Sequence, residues 1–314
     1  MTRPPDPPPS AARTAAGRPT AGYPTSAAPA AATLIPAGPP RPRGGAAGGL
    51  AVGGALVALL VATALLSLVW TPHDSGLVDS ANRLQPPSWT HWLGTDRMGR
   101  DIVSRLMVGA RTTLSVGVLA VLAASLVGVP LGVWAAMARG WVSDIVLRAS
   151  DILFALPALL LAILLVAVRG ASVATATAAI ALAALPVFVR IAHGATLGVM
   201  AQDYIDAARL SGAGRLAIGW RHVLPNIAPV LGVQASAAFS TAILAEAGLS
   251  YLGLAAPMST PTWGRMMRDG QAELFMSPWP ALLPGLVIAV TVLGFNLVGD
   301  GLRDHFDPRL REFR

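Results

Sequence analysis

The chain has 314 residues, 54% of them apolar and only 12% charged, about half the roughly 25% charge of a soluble domain. With a mean hydropathy of +0.60 and no Cys, it reads as an all-α polytopic membrane protein, without disulfides, thiolate metal sites or Cys nucleophiles. All 23 basic residues are Arg; lacking Lys, the chain cannot build a P-loop or a Schiff base, and no ATPase site of its own is expected. The formal charge of +7 fits Arg gathered on cytoplasmic loops, and no nucleic-acid partner is expected.

Residues 1–48 carry twelve Pro between Pro4 and Pro42, among Ala, Gly, Thr and five Arg. Such a segment cannot bury enough apolar surface to offset its ordering entropy, so a disordered cytoplasmic tail is expected. Six segments, near 49–70, 113–137, 150–168, 174–198, 227–249 and 281–300, approach the roughly 20 helical residues that cross a hydrocarbon core of about 30 Å. Pro130, Pro157, Pro186 and Pro284 lie inside them, where bundle neighbours can re-satisfy freed carbonyls. Placing both termini in the cytoplasm puts 14 Arg inside and 8 outside, with Arg190 within the fourth span, which favours that orientation.

The unit 49–112 is then a first span followed by an outer loop, and 113–314 is the transmembrane core. In the outer loop Met98, Ile102, Val103, Leu106, Met107 and Ala110 recur at helical spacing opposite Arg97, Arg100, Asp101, Ser104 and Arg105. This predicts an amphipathic helix, lying on the membrane or packed on the bundle, with Asp96 as its N-cap. The five His (His73, His91, His193, His222, His305) show no pair at helical ligand spacing, so no metal site is expected. Asp144 and Asp151 flank Arg148 at distances that suit a local ion pair. Glu246 and Arg190 are the charges at membrane depth, where an ionisable group meets a partner or a watery cavity. Glu246 is a candidate for the outer mouth of a pathway, the plainer alternative being a carboxylate reaching the interface. Arg190 is expected to snorkel to the inner interface.

The most informative stretch is the cytoplasmic loop 202–226, QDYIDAARLSGAGRLAIGWRHVLPN. It predicts a short helix through Asp206-Ala207-Ala208, a break at Gly212 and Gly214, and a second short helix ending before Pro225. Such a knob suits docking better than catalysis, because it offers no acid–base pair. The spacing of Asp206-Ala207-Ala208, Gly212 and His222-Val223-Leu224-Pro225 resembles the EAA loop of ABC-importer permeases, with Asp206 where Glu is usual and His222 where Ile is frequent. His91-Trp92-Leu93-Gly94-Thr95-Asp96 with Gly99-Arg100-Asp101 resembles the signature of the dipeptide/oligopeptide/nickel group. The ending Asn296 to Asp304, then Asp307-Pro308-Arg309, and the run Glu246 to Leu254 resemble that group too. The resemblance covers about residues 49–314.

That resemblance implies a type I ABC-importer permease fold of the methionine-importer type and the "C" permease subunit of a peptide importer. The implied partners are a related "B" permease, two ATPase subunits carrying ATP and Mg, an extracytoplasmic binding protein and the lipid bilayer of a bacterial cell membrane. It implies no cofactor on this chain, and loop 202–226 as the coupling element. Import of nickel or a metal chelate by the same machine is the alternative. An ion-coupled secondary transporter would show an internal repeat and paired midplane charges, and neither is visible; a scaffold without a pathway would not need the docking knob.

Overall fold

Apolar runs longer than about 20 residues bury their backbone polar groups by folding as helices. A computed structural model describes residues 44–138, 140–255, 257 and 260–306, and these are helical apart from turns and loops. The helices are α1 (Gly44–Leu66), α2 (Ile102–Ala138), α3 (Trp141–Ala155), α4 (Ala158–Arg169), α5 (Val173–Met200), α6 (Asp203–Leu210), α7 (Arg215–Ile218), α8 (Leu224–Tyr251), α9 (Trp263–Gln271) and α10 (Trp279–Phe306). The Pro-rich tail up to residue 43, Arg139 and the ending Asp307-Pro308-Arg309 lie outside the described residues.

Helix directions follow from neighbouring residues. Gly128 of α2 lies against Leu185 and Phe188 of α5, and Gly132 lies against Val189 and His193, so α2 and α5 run parallel. Thr113 meets Glu246 and Gly117 meets Phe239, so α8 runs antiparallel to α2. Ser236 meets Phe295 and Ser240 meets Val292, which reverses α10 relative to α8. Gly53 faces Leu297 and Gly301 faces Leu50, which reverses α1 relative to α10.

Parallel packing of α2 and α5 requires the chain between them to return to the other side. α3 and α4 do this as one broken span, bent by 86°. Ser143 Oγ meets His193 Nε2 at 2.9 Å and Asp151 Oδ1 meets Arg190 Nη2 at 2.5 Å, so α3 climbs as α5 descends. With α1, α2, α5, α8 and α10 long and apolar enough to span singly, the fold makes six crossings, as the hydropathy pattern predicts. Both ends of the described chain share one side with loop 202–226, whereas 67–101 and 252–278 share the other.

Four expectations are corrected. The third span is not one helix, because Leu156 takes the extended conformation (φ −81°, ψ 123°) that a residue before proline favours. The 97–110 stretch is not a surface helix: from Ile102 it forms the first turns of α2, and its polar face is covered, with Ser104 and Arg105 buried. The cap is Asp101, whose Oδ2 accepts the Ser104 N–H at 2.8 Å. Asp151 pairs with Arg190, which also lies 4.7 Å from the Phe154 ring centroid, in place of a local pair with Arg148. Arg190 thereby ties α5 to α3.

The core between α2, α5 and α8 is built on Ala120, Ala124, Ala179, Ala192 and Ala238 around Phe188. Small side chains let helices approach closely enough for dispersion to hold them, where lipid supplies no hydrophobic drive. A second cluster joins Ile102, Leu106 and Ala110 of α2 to Ile243 and Ala247 of α8 and Trp263 and Met266 of α9.

Candidate functional site

Loop 202–226 joins two crossings, α5 and α8, and is held rigidly between them. Ile205, Ile218 and Val223 are almost fully buried in the main core, pinning one face of the knob. α6 ends as the Ser211 N–H donates to Ala207 O, the Gly212 N–H to Arg209 O and the Ala213 N–H to Ala208 O, at 3.0–3.1 Å. This closure needs a left-handed residue, and Gly212 supplies it with φ +85°. The second helix does not end before Pro225. α7 passes through one wide turn, Gly219–Val223, in which the Leu224 N–H bonds Gly219 O, directly into α8. The wider turn removes the demand for the N–H that Pro225 lacks.

The residues singled out from the sequence divide by exposure. Asp206, Ala207, Gly212 and Pro225 are exposed, whereas Ala208, His222 and Leu224 are half-buried. Asp206 Oδ1 accepts from Arg209 Nη1 at 2.7 Å on the knob surface, so its charge already has a neighbour. His222 lies with its ring 6.1 Å from that of Tyr204. Sequence reasoning missed Leu210, Leu216 and Trp220, which stand 90%, 83% and 74% exposed. Their signal is apolar side chains in a segment too polar to span, with the apolar anchors already accounted for.

Beside the core, α4, α5 and α8 line a cleft of about 500 Å³. Its walls are mainly Ala, including Ala158, Ala162, Ala183, Ala184, Ala237 and Ala245, with Gln234 and Thr241 as polar points. Glu246 does not face it. Its side chain, 1% exposed, turns to α2, where Oε2 accepts from Thr113 Oγ1 at 3.1 Å, while Oε1 accepts from Ser250 Oγ, one turn on in α8, at 2.6 Å. α8 forms both the cleft wall and the continuation of the knob.

On the opposite side, the 91–101 signature is a structural hub. Asp96 accepts the N–H groups of Met98 and Arg100 on Oδ1, and Arg100 Nε and Arg105 Nη1 on Oδ2. Asp269 of α9 faces Arg97, Arg100 and Arg105 at 3.5–4.0 Å. Trp263 Nε1 donates to Leu106 O at 3.0 Å, locking α9 on α2. Gly99 (φ +74°) passes so near Asp79 O that a Cβ would stand 1.8 Å from it. Nearby, the Asn82 amide, with the Ala81 N–H, holds the half-buried Asp79 carboxyl below the usual carboxylate range. The expectation that the histidines stay apart is corrected for two of them, since His73, His91 and Asp101 bring ligand atoms within 4.8 Å of one another.

With this geometry in hand, comparison with known proteins is specific. Residues 128–312 match the family described as binding-protein-dependent transport system inner membrane component. The chain belongs to that family. This permease is 40% identical over 259 residues to the glutathione transport system permease GsiD of Pectobacterium atrosepticum, covering 82% of this chain and 86% of that protein. It is 40% identical over 263 residues to the dipeptide transport system permease DppC of Alkalihalophilus pseudofirmus, with the same coverage of 82% and 86%. Its fold matches a chain of the MetNI methionine ABC transporter in an inward-facing form, at TM-score 0.55 and 18% identity, covering 64% of this chain and 96% of that one. It is a permease subunit of an ABC importer, a component that is not itself the ATPase, and the resemblance and fold class expected from the sequence are borne out.

Proposed function

We propose that this permease forms half of a pathway for short peptides, and that an ATPase subunit drives it through loop 202–226. The observation that carries this reading is the knob itself: buried Ile205, Ile218 and Val223 hold it rigid, while Leu210, Leu216 and Trp220 present bare apolar surface. Exposed apolar groups rimmed by polar ones mark a protein contact. Peptide cargo is favoured by relatives named for dipeptide and glutathione transport, and the apolar cleft carries no cluster of metal-ligating side chains among the described residues. A second, related permease closes the cleft from the other side, ATP and Mg are held by the ATPase subunits, and an extracytoplasmic binding protein delivers cargo to the 67–101 side. The chain sits in the bacterial cytoplasmic membrane with both termini and the knob in the cytoplasm. Glu246 supports the pathway from behind, by fixing α8 against α2. Nucleotide-driven closure of the ATPases displaces the knob and tilts α5 and α8 as rigid bodies, alternating access to the cleft.

The test is uptake in proteoliposomes holding the assembled complex and a labelled dipeptide or tripeptide. Leu216→Asp with Trp220→Ala is expected to cut ATP-driven uptake at least tenfold and to lose the ATPase on purification, while the variant still inserts. Retention of both ATPase and uptake by that variant would sink the docking role. Uptake of a metal chelate with none of peptide would overturn the cargo.

A further inference from the structure

We propose that His73, His91 and Asp101 form a binding site for a divalent transition-metal ion, zinc foremost, that staples the loop after α1 to the first turn of α2. His91 Nδ1 lies 3.0 Å and His73 Nδ1 3.8 Å from the same oxygen, Asp101 Oδ1. The two imidazole centroids are 4.5 Å apart. Tetrahedral zinc with ligands at about 2.0–2.1 Å needs ligand atoms roughly 3.3 Å apart, and the two measured separations bracket that value. Two imidazoles and one carboxylate are the donor set that suits zinc or its neighbours and not magnesium or calcium.

One ligand atom of the cluster, His73 Nδ1, is left without a hydrogen-bond partner. Asp101 has a side chain 1% exposed, and its ion-pair partners among the described residues are the two histidines alone. The nearby Arg97, Arg100 and Arg105 are turned to Asp96 and Asp269 instead. His91 takes the one good hydrogen bond to Asp101 Oδ1. His73 Nδ1 is buried, points at the same oxygen and has no hydrogen-bond partner. A buried polar atom without a partner is costly, and an ion seated among the three atoms serves all of them.

The surroundings hold the ligands in place. Asp101 Oδ2 accepts the Ser104 N–H and Oγ–H, each at 2.8 Å, and Ser104 Oγ accepts the His73 N–H at 3.0 Å. One serine therefore orients two of the three ligand residues, as outer-shell partners do in metal sites. The His73 side chain is 39% exposed, so the cluster lies one ring's width from water. None of the three residues lines the cleft; the ion is structural, not cargo.

The experiment uses the assembled complex, purified without a polyhistidine tag, stripped with chelator and titrated with Co²⁺ as a spectroscopic probe. One Co²⁺ per copy of this chain is expected, with the intense visible bands of four-coordinate cobalt, displaced by Zn²⁺. His73→Ala and His91→Ala should each weaken Co²⁺ binding at least tenfold, and Ser104→Ala about tenfold. Zn²⁺ should raise the melting temperature of the wild type and not of the double histidine variant. Because Asp101 also caps α2, the histidine variants carry the test, with their melting in chelator checking that they fold. Absence of four-coordinate bands at saturating Co²⁺ would overturn the proposal, as would equal affinity in the double variant.

Discussion

Glu246 is a carboxylate, 1% exposed, held against α2 by the hydroxyl of Thr113 and bonded within α8 by that of Ser250. Replacing it by Ala strands both hydroxyls and leaves a void, an expected loss of about 2–4 kcal/mol. Gln keeps an acceptor and should lose less than half of that, and unfolding of both variants in one detergent checks the order. Residue types were legible at this scale, but their partners were not. Asp96 and Asp101 each precede apolar residues at helical spacing, and local pattern does not decide which one caps. The turn at Gly99 decides it by spending Asp96 on Met98, Arg100 and Arg105. The same holds for His73 and His91, whose meeting depends on a loop path that no spacing rule encodes.

Among the elements, the knob was the most legible, because its need for a left-handed residue after a short helix leaves a glycine in the sequence. A Cβ at Gly212 would meet nothing within 4 Å, so its role is conformational and not one of contact. Gly212→Asn, which tolerates positive φ, should therefore retain the ATPase on purification, and Gly212→Val should lose it. Equal loss in both would mean that the partner touches this residue. Less legible was which face of the knob turns inward. Tyr204, Ile205, Leu210, Leu216, Ile218 and Trp220 are all apolar or aromatic, and only packing against α2, α5 and α8 separates the pinned set from the exposed one. Proline was ambiguous for the same reason: Pro130, Pro186 and Pro284 sit within continuous helices, whereas Pro157 ends one.

At the scale of the whole molecule, hydropathy makes six crossings legible, since any apolar run of sufficient length must span. Which helices are neighbours, and in what sense they run, belongs to side-chain fit and is not periodic. The sidedness has a direct check, because a chain with no Cys gives no labelling background. Ser211→Cys should react with an impermeant maleimide only in inverted membrane vesicles, and Thr90→Cys only in right-side-out ones. Reaction of both from one side would break the six-crossing arrangement.

The parallel seam between α2 and α5 also constrains how the chain is born. A hairpin can settle into the bilayer as soon as its second strand of helix emerges, but these two partners are separated by a full return passage. The ribosome must therefore deliver α3 and α4 across before α5 can enter in the direction that packs on α2. Excising residues 141–172 would leave α5 entering from the wrong direction and would carry the knob to the far side of the membrane. The most broken of the crossings is thus the one that decides the address of the docking surface.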